Sequence, residues 1–233
     1  MVHQERVRTR ESGAAGPDVR AVLLLLVPRR RRRRAWPLGP LEERLTRSAR
    51  AAGAAVRRVE VGPSDAPAAV SAALGAALGG VADGVPVVLI GAGASARPAL
   101  WAAGHPAVRG VGLVGLRLPA AGPSGEEAET VDQLAGRRLL MVDGGRDPWA
   151  DPELGYRFAV RALDAADEVV RFEVHGGRNP LRARAEDVRE LVTDWALAVA
   201  VDAAPARALA DAAAIPGTAG LRMPLQDGFT SRH

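Results

Sequence analysis

The sequence predicts an α/β domain, a doubly wound and mostly parallel sheet of about six strands with helices on both faces. Two observations carry this. Short, near-continuous apolar runs such as AVLLLLV at Ala21 to Val27 suit strands that are buried on both sides, as parallel strands are. Between such runs lie Ala/Leu/Arg-rich segments with apolar residues near i, i+3 and i+4, the spacing of amphipathic helices.

Taken in order, Arg20 to Val27 opens the sheet and Leu41 to Ala52 returns as a helix. Val56 to Val61 is the second strand, and Ala66 to Leu78 the second helix. The run Val85 to Ile90 is the third strand, and it turns through glycines into a short helix, Ala96 to Ala103. Gly110 to Leu116 is the fourth strand; the crossover that follows, Pro119 to Gln133, is poor in apolar residues and is read as partly loop. Arg137 to Asp143 and Glu168 to Val174 are the last strands, each followed by a helix, Pro152 to Ala165 and Ala183 to Val201. The α/β domain is thus placed at residues 19–202, behind a head of residues 1–18 expected as disordered and ahead of a Pro/Gly/Ala-rich tail, residues 203–233. The chain has no internal repeat.

Composition excludes several classes of function. At 233 residues, 48% of them hydrophobic, the chain can bury one sizeable core. It has no cysteine, and His3, His105, His175 and His233 show no ligand spacing, so neither a disulfide framework nor a metal centre is expected. No cofactor is expected either. No apolar run reaches the roughly 18 residues of a membrane span, and the polar, charged N-terminus is unlike a secretory signal, so a cytoplasmic location is expected. All 31 cationic residues are arginine, which reads as a coding bias more than as a function, and the net charge of +4 adds little. No oligomeric state is read from the sequence.

The segment with most chemical content is Val85 to Leu100, VPVVLIGAGASARPAL. An apolar strand running into Gly91-Ala92-Gly93-Ala94-Ser95 and then a helix has the layout of a nucleophile elbow, in which G-x-S-x-G lifts a serine hydroxyl above the sheet edge. Here the letters are G-x-G-x-S. When the turn starts directly after the strand, the nucleophile position is Gly93, which has no side chain to attack with.

From Arg20 to about Val201 the chain resembles a short, lidless α/β-hydrolase of the dienelactone-hydrolase-like kind, in particular the KANSL3/Tex30-type family. Where that family has an elbow reading GRSSGAR, this chain has Gly91-Ala92-Gly93-Ala94-Ser95-Ala96-Arg97, so the resemblance puts the nucleophile at Gly93. The acid loop, a strand followed by GxxDP, matches Gly144-Gly145-Arg146-Asp147-Pro148 and implies Asp147 as the triad acid. The histidine loop, GGDH, aligns with Gly176-Gly177-Arg178-Asn179, which puts Asn179 in place of the base. In place of a glycine-rich oxyanion loop after the first strand stands Pro28 followed by Arg29, Arg30, Arg31, Arg32, Arg33 and Arg34.

These departures act together. A serine hydroxyl is a weak nucleophile until a histidine takes its proton, and loss of one triad member costs several orders of magnitude. The oxyanion loop adds about 3 kcal/mol per donor; only the N–H of Ala94 would remain. Asp147 before Pro148 also fits a helix N-cap, a reading that stands level with the catalytic one. Two residues offer alternatives. Ser95 becomes the nucleophile if the motif is shifted to Gly93-Ala94-Ser95-Ala96-Arg97, although it also reads as a small residue in the first helical turn. His175 ends the last strand four residues before the expected base and is either that base or a partly buried, hydrogen-bonded strand end.

A reading of another class uses Gly91-Ala92-Gly93-Ala94-Ser95-Ala96 as a dinucleotide fingerprint, G-x-G-x-x-A. It expects an acid about 20 residues on, where this chain has Leu116-Arg117-Leu118-Pro119. The arginine run, for its part, suits an anion at the carboxyl ends of the strands. With 3% aromatic residues, base stacking on nucleic acid is poorly supported. The sequence thus predicts a catalytically degraded hydrolase fold that binds a small, anionic ligand or a partner through Ala94 and Arg29 to Arg34. An active small-ester or lactone hydrolase using Ser95, and a phosphate or dinucleotide binder using Gly91 to Gly93, are the alternatives.

Overall fold

The computed structural model describes residues 9–12, 19–29, 38–62, 65–119, 129–146, 150–176 and 179–225. Its strands are β1 (Thr9–Ser12), β2 (Ala21–Pro28), β3 (Ala54–Val61), β4 (Val87–Ala92), β5 (Val108–Val114), β6 (Arg138–Gly144), β7 (Glu168–Val174) and β8 (Met223–Pro224). They form one sheet in the order β1-β3-β2-β4-β5-β6-β7-β8. Only β1 runs antiparallel, against β3; the other seven strands are parallel.

The apolar runs do what a doubly covered sheet requires. Along β2, Ala21, Leu23, Leu25 and Val27 enter one core while Val22, Leu24 and Leu26 enter the other. Helices α1 (Leu38–Ala51) and α6 (Ala185–Val201) cover the first face with Leu41, Leu45, Leu191 and Trp195. Helices α2 (Pro67–Ala77), α3 (Ala96–Trp101) and α4 (Pro152–Ala162) cover the second with Val70, Leu74, Leu100 and Phe158. Strand β5 carries glycine at 110 and 112 because Trp195 of α6 lies on it: a Cβ at either position would stand 3.1 Å from the indole ring.

The sheet is wider than the six strands expected, and both additions come from segments read as lying outside the domain. Part of the head, Thr9–Ser12, pairs with β3 along its backbone; its sequence, TRES, has no alternation of apolar side chains to announce a strand. The tail contributes α7 (Arg207–Ala214), which buries Leu209 and Ala212, a 3-10 turn (Gly217–Arg222) and β8, too short to leave a pattern. The helix expected at 183–201 is interrupted at Arg184, after a single turn, α5 (Pro180–Ala183). Within the crossover read as partly loop, Asp132–Leu134 is a 3-10 turn.

What fastens the C-terminal segment is Arg171, a fully buried cation in β7. Its Nε donates to Asp143 of β6 (2.8 Å) and its Nη1 to Glu173 (2.6 Å) and to the Leu221 carbonyl (2.7 Å). Its Nη2 donates to the Pro152 carbonyl at the start of α4 (2.9 Å). Arg222 extends the cluster, stacking 3.8 Å over the Tyr156 ring and bonding Glu153 at 2.8 Å, a bond that holds the Glu153 carboxyl below its ordinary range. Arg171→Met should therefore lower stability by about 3–5 kcal/mol, because Asp143 and Glu173 stay buried without the guanidinium between them, Glu173 keeping Arg222 Nη1 at 3.5 Å. Urea unfolding followed by circular dichroism measures this; an unchanged midpoint would contradict it.

Candidate functional site

Parallel α/β sheets bind ligands beyond the carboxyl ends of the strands, where the strand order reverses. In this sheet that point lies between β2 and β4, because the chain goes from β2 outward to β3 and then returns to β2's other side as β4. Strand β4 ends at Ala92, and Gly93–Ser95 turn the chain through one 3-10 turn into α3. Gly91 has no room for a side chain: a Cβ there would stand 2.4 Å from the Ser95 carbonyl oxygen and 2.8 Å from the Ala96 Cα. That contact brings the helix onto the strand. Gly93, with φ +57°, occupies the tip, and the direction a side chain would take from it is open for 4 Å.

The other residues of the turn hold it in place. Ala94 is exposed, whereas Ser95 is wholly buried. The Ser95 hydroxyl accepts the Ala92 N–H and donates to the Ala92 carbonyl, both at 3.1 Å, and so closes the turn on itself. Among the described residues both hydrogen bonds of this hydroxyl go to the Ala92 backbone. Arg97 is held by Glu129 and lies 5.0 Å over the Trp101 ring, while Trp101 Nε1 donates to the same carboxylate at 3.1 Å. Helix α3 is thereby fixed to the segment entering β6.

Asp147 falls outside the described residues. The cap of α4 is Asp151, whose side chain accepts the Glu153 N–H at 2.9 Å with Pro152 in the first turn. Asn179 is exposed and serves as N-cap of α5, its Oδ1 accepting the Arg182 N–H at 3.3 Å. His175 follows β7 with its side chain 63% exposed, its Nε2 3.9 Å from Glu173 Oε2. The ring lies against Gly145, just after β6, where a Cβ would stand 2.9 Å from Nδ1.

Of the arginine run, Arg29 is described and Arg30 to Arg34 lie outside the described residues. Arg29 directly follows β2, which packs against the Gly93–Ser95 turn. Its backbone N–H is spent on the Val61 carbonyl at 2.9 Å, and its Nη2 donates to Asp65 Oδ2 at 3.0 Å. Sequence reasoning missed Asp65, and it missed the Arg171, Asp143 and Glu173 cluster; the one signal for the latter is a row of charges inside an apolar strand, EVVRFEV. Among the described residues, no cluster of three or more histidine or carboxylate side chains could hold a metal ion, and no helix is long and apolar enough to cross a membrane.

No family model and no curated protein matches this sequence. Solved structures do resemble the fold. A monoacylglycerol lipase of Paleococcus ferrophilus superposes with a TM-score of 0.61 at 11% identity, over 83% of this chain and 99% of its own. Esterase 2 of Thermogutta terrifontis gives 0.60 at 15% identity, over 88% and 93%. An alpha-beta serine hydrolase homologue of Coxiella burnetii gives 0.55 at 14% identity, over 80% and 90%.

The geometry of the turn makes Ser95 a structural residue, and Ser95→Ala should lower stability by about 1–3 kcal/mol by leaving the buried Ala92 N–H without an acceptor. Thermal and urea unfolding read this, and a variant as stable as the parent would show that the hydroxyl does not hold the turn.

Proposed function

We propose, from the premise that this chain has the α/β-hydrolase fold, that it is a catalytically degraded hydrolase that binds a small anionic ligand at the crevice between β2 and β4. The observation that carries the reading is the tip of the turn. A glycine stands there under open space, and the hydroxyl of Ser95, two residues on, is sealed in the turn. Acyl transfer needs a nucleophile, a base to take its proton and donors for the oxyanion. Asn179 is an amide engaged in capping, and an amide does not take up a proton at neutral pH. The Arg29 N–H is already bonded to Val61, which removes the first residue after β2 as an oxyanion donor.

Cationic residues, in contrast, follow β2 in the sequence. Arg29 follows β2 directly, and Arg30 to Arg34 come next in the chain. A guanidinium group gives a planar, bidentate match to carboxylate or phosphate, and walls of low dielectric strengthen it. The dinucleotide alternative draws on Gly91 and Gly93, but the helix contact accounts for the first and the turn's positive φ for the second.

A fluorophosphonate probe should leave the purified protein unlabelled, and p-nitrophenyl acetate should be hydrolysed no faster than by Ser95→Ala. Covalent labelling of Ser95 would overturn the reading. Gly93→Ser combined with Asn179→His should restore little activity, because no oxyanion loop supports the new serine.

Calorimetric titration with inorganic phosphate should show binding that weakens as salt is added. Replacing Arg30 to Arg34 by serine should remove that binding with almost no change in melting temperature. Binding that ignores salt, or that survives this replacement, would argue against an anion site.

A further inference from the structure

The Arg29 guanidinium is already paired, and the pair is built into the β3–α2 connection. Asp65 Oδ2 accepts Arg29 Nη2 at 3.0 Å and the Gly62 N–H at 2.7 Å. Gly62 leaves no space there: a Cβ would stand 2.7 Å from Asp65 Oδ1 and 3.3 Å from Arg29 Nη1. The two side chains are 23% and 20% exposed, so the pair is neither sealed in the core nor loose in solvent. Asp65 lies after β3, on one side of β2, while the Gly93 turn lies after β4, on the other. Neighbouring strands are only about 4.8 Å apart, and the flexible arginine stem spans that separation.

We infer that Asp65 is a built-in competitor for the anion site: its carboxylate occupies Arg29 when no ligand is present and yields the guanidinium to a phosphate-like dianion at the Gly93 turn. The inference rests on the anion-binding reading above. A carboxylate held at 3.0 Å reduces the charge that Arg29 shows to the crevice, so an entering anion exchanges with Asp65 and does not meet a bare cation. Partly exposed pairs of this kind are weak enough to exchange. A dianion with three terminal oxygens offers the guanidinium the same bidentate geometry with more charge. Asp65 also fixes the loop through Gly62, and this second role is separable, since an amide oxygen accepts the same N–H without the charge.

The test is calorimetric titration of the full chain with inorganic phosphate at low salt, using the parent protein, Asp65→Asn, Arg29→Gln and the double variant. Asp65→Asn should bind phosphate about twofold to fivefold more tightly, the range of one partly exposed ion pair. Arg29→Gln should weaken binding, and adding it to Asp65→Asn should abolish the gain. If the parent binds phosphate but Asp65→Asn binds it equally or less well, the competitor role is wrong while the anion site stands. If Arg29→Gln binds like the parent, Arg29 is not the cation concerned and the inference fails, a result that does not depend on how well Asp65→Asn folds. If neither the parent nor Asp65→Asn binds phosphate, the anion reading fails and this inference with it.

Discussion

A parallel sheet offers neither face to water, and the seven parallel strands of this protein therefore need a layer of helices on each side. Most of the architecture follows. Alternate residues of β2 enter opposite cores, so the strand is apolar throughout, and each parallel neighbour is reached by a connection that crosses a face of the sheet. The crossovers put every strand-to-helix turn on the same edge of the sheet, and the reversal between β2 and β4 opens the crevice there. The candidate site is a consequence of how the sheet is covered.

Within that frame the Gly93 turn is held by its own residues. Its hold on the structure comes from Gly91, which lets α3 approach β4, and from Ser95, which closes the turn on Ala92. Neither depends on what stands at the tip. An L residue with the backbone of Gly93 would carry roughly 1–2 kcal/mol of left-handed strain, which glycine does not. The tip of the turn therefore carries no side chain, and open space lies along the direction one would take.

The Arg171 cluster shows the opposite balance. Burying a guanidinium and two carboxylates costs desolvation energy that is recovered only when nearly every polar atom is matched. Here four separate parts of the chain supply the matches: Asp143 from β6, Glu173 from β7, Pro152 from α4 and Leu221 from the segment beyond α7. The cluster makes that segment part of the domain, and β8 pairs with the edge of β7 as a result.

The sequence by itself determined the alternation of strands and helices and the position of the glycine turn, because apolar periodicity and glycine spacing act over a few neighbouring residues. It determined that Gly93 bears no nucleophile and Asn179 no imidazole, since these are matters of residue identity. Tertiary structure alone decided that the Ser95 hydroxyl is sealed, that Thr9–Ser12 joins the sheet and that residues 203–225 are folded onto it. It alone brought Arg29 to Asp65 and Arg171 to Asp143, pairs 36 and 28 residues apart. Charged side chains leave no periodic trace of their partners; which of them meet depends on how the strands are ordered and packed.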